Sequence, residues 1–252
     1  TMKEEDIFAF LEEYQKPVYL VLPSIMRRKD YVLYEKAMAK AYREKGNNSV
    51  LSDIFKYQYL EGIVIKNFES IALFEQYIKD SGQKAILDYN MYTFNRKAKE
   101  FWQKEGIFYS TAAIELNGLE WREDGLEGQD VILYGHLPFM TSVQCVEKNT
   151  KGCRNTPNQL VLKDKAGREY YAVNRCKYCY NQLYSSLPLS LHEYFEEIYN
   201  LSPRNMRLDF VLENKEQTKQ IVEFYLKLWK KEKSYQCPLK AYTTGHYRKG
   251  VR

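Results

Sequence analysis

Hydrophobic positions fall along the chain in two alternating rhythms. Ile7, Phe10, Leu11 and Tyr14 recur at helical spacing, and Pro17-Val18-Tyr19-Leu20-Val21-Leu22 then reads as a buried strand closed by Pro23. Residues 30–60 read as mostly helical, with a break at Gly46-Asn47-Asn48. Short apolar runs follow, starting near Gly62, Lys84, Ile107 and Asp130, about 22 or 23 residues apart. Amphipathic stretches separate them: Ile71, Phe74 and Ile78, then Phe94, Ala98, Phe101 and Trp102, then Leu116, Leu119 and Leu126. A last unit pairs the alternation Met206, Leu208, Phe210 with a helix carrying Ile221, Phe224, Tyr225 and Leu228.

Strands that alternate with helices at a short fixed period must be parallel, because each helix returns the chain to the same edge of the sheet. The expected class is therefore α/β, a TIM-like (βα) barrel, complete or lacking a unit. No Gly-rich phosphate-binding turn follows any strand, which disfavours a doubly wound sheet. Residues 140–190 interrupt the repeat. Two strand-like runs, Gln159 to Leu162 and Tyr170 to Val173, flank a Lys-Ala-Gly turn and predict a small β-hairpin insertion rich in cysteine. The barrel-type domain is then 1–139 with 191–252, and the insertion 140–190.

Composition narrows the class further. With 44% hydrophobic and 28% charged residues in 252 positions, the chain can bury a core and is not low-complexity. No apolar run reaches the roughly 18 residues of a membrane span, and Lys3-Glu4-Glu5-Asp6 is no signal-peptide start, so a cytoplasmic protein without a membrane partner is expected. Thr1 ahead of Met2 looks like a tag remnant, which suggests a piece of a longer protein. The net charge of +5 allows nucleic acid without demanding it.

Candidate chemistry gathers at the ends of the expected strands, where parallel barrels bind ligands. Asp88, Asn90, Glu115 and His136 are the expected pocket residues, with a buried carboxylate beside His136 as general acid or base. Asp88 and Ser110 equally suit helix capping. Cys145, Cys153, Cys176 and Cys179 crowd into the insertion, the last two as CxxC, while Cys237 stands apart. Four thiolates brought together by a hairpin suit zinc or an iron–sulfur cluster, and sequence alone does not choose between them. The remaining reading is unrelated structural cysteines.

The string Tyr134-Gly135-His136-Leu137-Pro138-Phe139-Met140 to Cys145, Cys153, Leu162-Lys163-Asp164-Lys165-Ala166-Gly167, Cys176 and Cys179 resembles peptidase family U32, the collagenase-like proteases. Asp88-Tyr89-Asn90 to Asn95 is similar to that family's strand-end motif, Ser110 to Glu115-Leu116-Asn117 to its Ser-x-Glu-Leu element with extra residues, and Thr244-Gly245-His246-Tyr247 to its C-terminal segment. The resemblance covers residue 60 onward. It implies a TIM-like barrel whose usual opening strands lie upstream, here absent or replaced by residues 1–60, with the upstream part of the parent protein as a partner, and a four-cysteine [4Fe–4S] site in the cell, with zinc or an empty site after aerobic purification. Although the family is catalogued as peptidases, several bacterial relatives are implicated in hydroxylating RNA bases or ubiquinone precursors.

Three function classes follow. Proteolysis of a peptide substrate lacks a visible mechanism, since the chain has no GxSxG elbow and no HExxH helix. Iron–sulfur-dependent hydroxylation of RNA or a small molecule accords with the cysteines; Arg27, Arg28 and Lys29, the basic tail at Lys240, Arg248, Lys249 and Arg252, and abundant tyrosines suit RNA. A metal-stabilised binding fragment without activity is the third. His192, among Glu193, Glu196 and Glu197, is expected at the surface.

Overall fold

The computed structural model describes residues 13–43, 55, 57–232 and 236–251. The helix expected around Ile7, Phe10 and Leu11 and the break at Gly46-Asn47-Asn48 lie outside them. The chain divides into two units, residues 1–92 with Lys97–Tyr109, and Thr93–Arg96 with Ser110–Arg252.

In the first unit, β1 (Val18–Val21), β2 (Leu60–Ile65) and β3 (Lys84–Leu87) pair in that order, all parallel. Ile63, Val64 and Ile65 are consecutive and all buried, as expected of a parallel strand covered on both faces. Helix α1 (Arg28–Arg43) precedes β2, and α2 (Phe68–Ser81) links β2 to β3. Asn67 begins α2 by accepting from the Ser70 N–H at 2.8 Å, and Gly82 ends it in the left-handed region at φ 68°. Phe74 from α2 is fully buried against Phe55 and Tyr34. At Gly62 a Cβ would stand 2.3 Å from the Lys84 carbonyl oxygen, so close pairing of β2 with β3 requires glycine. Helix α3 (Arg96–Lys104) follows β3 and sets Trp102 beside Phe68.

In the second unit, β4 (Tyr109–Thr111) pairs through Ser110 and Thr111 with β5 (Gln129–Gly135), and α4 (Gly118–Asp124) connects them. All seven residues of β5 are buried. The chain then forms β6 (Pro138–Ser142), α5 (Val146–Lys151), β7 (Gln159–Lys163), β8 (Glu169–Arg175) and β9 (Tyr180–Ser185). These four strands make a separate antiparallel sheet in the order β6-β9-β8-β7. The chain returns through β10 (Leu189–Ser190), antiparallel to the end of β5, and α6 (Phe195–Asn200) to β11 (Asn205–Asp209), parallel to β5. Helix α7 (Lys215–Trp229) closes the unit, its start fixed by the reciprocal Asn214–Gln217 capping box.

Both units are thus α/β with parallel strands, and the strands expected near residues 17, 62, 84, 107, 130 and 206 are present. β7 and β8 pair across the expected turn, while β6 and β9 enlarge the pair to four strands. No helix among the described residues is long and apolar enough to cross a membrane.

Candidate functional site

β5 and β11 run parallel, so their C-terminal ends open on the same side, and the segments leaving them bring His136 and Glu213 together. His136 Nε2 lies 3.5 Å from Glu213 Oε1, with both side chains under 10% exposed. Glu213 is held as an acceptor. Its Oε1 receives the Tyr134 hydroxyl at 2.7 Å, and Oε2 receives the backbone N–H groups of Val211 and Leu212 at 2.9 and 3.0 Å. His136 Nδ1 lies 2.9 Å from the Ser185 carbonyl oxygen, which can only accept, so Nδ1 carries a hydrogen and Nε2 is the nitrogen free to exchange one. Burial, reinforced by the bond to Glu213, pushes the Tyr134 phenol far above its ordinary range, so it donates and does not ionise.

A cavity of about 540 Å³ opens over this pair. Gln159 and Tyr171 contribute from the antiparallel sheet, Gln217 and Gln220 from α7, and Lys240 from the C-terminal segment, with Leu187, Pro188, Leu212 and Ile221 as apolar walls. This volume suits a small molecule or one nucleoside-sized group. The arrangement can bind a polar ring and move a proton at His136 Nε2, with Glu213 as the compensating charge.

The other expected pocket residues have separate settings. Asp88 and Asn90 belong to the first unit. Asp88, 1% exposed, pairs with Lys66 Nζ at 3.2 Å and makes no side-chain cap, although it precedes the short helical turn Tyr89–Met91. Asn90 Nδ2 donates to the Lys66 carbonyl at 2.7 Å, and its buried Oδ1 meets no hydrogen-bond partner among the described residues. Glu115 is in the second unit but does not line the His136 cavity; its buried Oε2 likewise meets no hydrogen-bond partner among the described residues. Ser110 is no cap either: it accepts from Gln129 Nε2 at 3.0 Å. His192 is half-buried rather than a surface residue. It meets Ser190 Oγ at 2.8 Å and the rings of Phe224 and Tyr242, and burial holds its imidazole below the usual range.

None of the five cysteines forms a disulfide. Cys145 caps α5, its sulfur facing the Lys148 N–H at 3.4 Å. Cys176 donates to the Thr156 carbonyl at 3.2 Å, and the Cys179 N–H closes the turn onto the Cys176 carbonyl at 3.1 Å. Cys179 takes a left-handed backbone, φ 54°, in this β8–β9 turn. The Cys176 thiol is pushed up by burial first, then by Cys145, Cys153, Glu147 and Cys179. No three His, Cys, Asp or Glu side chains among the described residues stand in a metal-holding arrangement. Strand β9 runs from Cys179 towards Ser185, the carbonyl partner of His136. At about 3.3 Å per residue, the cysteine turn and the His136 pair lie roughly 20 Å apart along the sheet.

Glu213 was not foreseen from sequence. It lies 79 positions from Tyr134, in the loop that follows β11, and only the parallel pairing of β5 and β11 joins them. No protein-family model, curated protein or solved structure matches the chain.

Proposed function

We propose that this chain is the C-terminal α/β portion of an iron–sulfur-dependent enzyme of the peptidase U32 type, a partial (βα) barrel with a cysteine-rich insertion, hydroxylating an RNA base or a small molecule. What supports the reading is the crowding of Cys145, Cys153, Cys176 and Cys179 into one antiparallel-sheet module, with Cys145 capping α5 and Cys176 and Cys179 in the β8–β9 turn. Four sulfur donors have the chemistry that an iron–sulfur cluster or zinc requires, and these four residues would have to be drawn together to hold it, since no three of them stand in a metal-holding arrangement among the described residues. When bound, a cluster supplies one-electron transfer.

The chain's own groups divide the remaining work. The His136 cavity takes the substrate. Tyr171 offers an aromatic face, and the carboxamides of Gln159, Gln217 and Gln220 offer paired donors and acceptors for a ring edge. His136 Nε2 gives or takes the proton, and Glu213, fixed by Tyr134 and two backbone N–H groups, keeps that nitrogen in place.

Mass spectrometry of RNA tests the reading in a strain lacking the parent gene. Loss of a hydroxylated base, restored by the intact gene but not by one with the four cysteines changed to serine, is expected. An unchanged set of RNA modifications would remove RNA as the substrate.

A further inference from the structure

The cavity over His136 and Glu213 is lined by one cation that the proposed chemistry leaves unused, Lys240 of the C-terminal segment. Its side chain makes no hydrogen bond or ion pair with any group among the described residues, so Lys240 and Glu213 line one cavity without pairing with each other. An exposed lysine is ordinarily just solvated, but the backbone that carries this one is pinned. Three residues on, the Thr243 N–H donates at 2.9 Å to the carbonyl of Pro188, itself a wall of the cavity, and the Thr243 carbonyl accepts from the Ser190 N–H at 2.9 Å. Between them, the Tyr242 hydroxyl donates to Glu193 at 2.9 Å, and its ring meets the His192 ring edge-on at 4.7 Å. Lys240 is thus presented by a segment fixed to the cavity wall.

The charges in the cavity set a direction. Both oxygens of Glu213 are taken up by the Tyr134 hydroxyl and two backbone N–H groups, so a ligand at that end meets His136 Nε2. An acid group placed there would stand against a buried carboxylate, and such repulsion is stronger than between charges in water. The acid group of a ligand is therefore driven towards Lys240. Gln217 adds a donor: its Oε1 is spent on the Asn214 N–H at 2.9 Å, which leaves its amide N–H groups to turn to the cavity. Tyr171, Leu212 and Ile221 supply walls suited to the face of a ring.

We infer that Lys240 is the specificity-determining residue of this cavity, and that its ligand is a planar ring bearing a phosphate or carboxylate group, bound by Lys240 while the ring lies towards His136. The inference rests on the reading of the His136 cavity as the substrate site and does not depend on the cysteines.

Phenol, benzoate, phenyl phosphate and inorganic phosphate serve as probes. Each is titrated into the full-length wild type, Lys240→Gln and Lys240→Arg at constant pH and ionic strength. Calorimetry gives affinity, and the imidazole resonances of His136, identified by their loss in His136→Gln, give position. A hydrogen bond to a charged group changes affinity about tenfold or more. The wild type should bind benzoate or phenyl phosphate more tightly than phenol by about that factor, with the His136 resonances shifting. Lys240→Gln should lose the preference while binding phenol as the wild type does, and Lys240→Arg should keep it. The tighter of the two acids names the acid group. Lys240 is exposed, so the variants should melt with the wild type. Equal affinity of the wild type and Lys240→Gln for both acids, or inorganic phosphate bound as tightly as phenyl phosphate, would overturn the inference and leave the cavity standing. Probes that bind without shifting the His136 resonances, or no binding of any probe to the wild type, would remove the cavity as a ring site and this inference with it.

Discussion

Glu213 receives three hydrogen bonds and faces an imidazole, so the consequences of altering it can be ranked by what each change strands. Glu213→Ala leaves the Tyr134 hydroxyl and two backbone N–H groups without their acceptor, and buried donors left this way cost about 1–3 kcal/mol. Tyr134→Phe removes only one donor and leaves Glu213 two others, for a loss of about 1 kcal/mol. Urea unfolding should therefore rank Glu213→Ala below Tyr134→Phe, and equal stability of the two would show that the carboxylate is not held as described. Sequence revealed half of this pair. His136 stood out beside an apolar strand, but Glu213 sits among residues whose pattern resembles any loop before a capped helix, and nothing local marks it as the partner of a tyrosine on β5.

Among the elements, the parallel strands were the most legible. Ile63-Val64-Ile65 and Val131-Ile132-Leu133-Tyr134 are unbroken apolar runs because both faces of those strands are covered, a signal that needs no knowledge of neighbours. Strand β9 was hidden for the opposite reason. Its Asn181 and Gln182 are buried polar residues, satisfied in part by Gln144 and Arg175, so the segment shows no apolar run. β6 is largely exposed and opens with Pro138, which reads as a turn. The close pairing of β2 with β3 yields a test at this scale. Gly62→Ala places a methyl against the Lys84 carbonyl, a backbone atom that can move only with its strand, and should cost at least about 1–3 kcal/mol in denaturant unfolding. A neutral substitution would mean that the strands do not approach as closely as 2.3 Å implies.

At the scale of the whole molecule, pH limits stability at both ends. Tyr134, Tyr184, Tyr225 and Tyr247 all have phenols pushed up, in each case chiefly by burial. Above about pH 10 the unfolded chain releases these protons while the folded chain keeps them, so stability falls as pH rises. His192 works in the other direction. Its imidazole is held below the usual range, so below about pH 6.5 the unfolded chain takes up a proton that the folded chain resists, and stability falls as pH falls. Phenolate absorbance followed together with circular dichroism should show these tyrosines ionising only as structure is lost; ionisation near pH 10 in the intact fold would refute their burial. Cleavage of gelatin is expected to be no greater than that of a form with the four clustered cysteines changed to serine, and cysteine-dependent cleavage that survives metal removal would favour proteolysis. The most direct measurement is iron, sulfide and zinc analysis after anaerobic purification of the wild type and Cys176→Ser. Iron with matching sulfide in the wild type, lost or much reduced in Cys176→Ser, is the predicted result, whereas a wild type carrying neither iron nor zinc would contradict the four-cysteine centre on which the proposed chemistry depends.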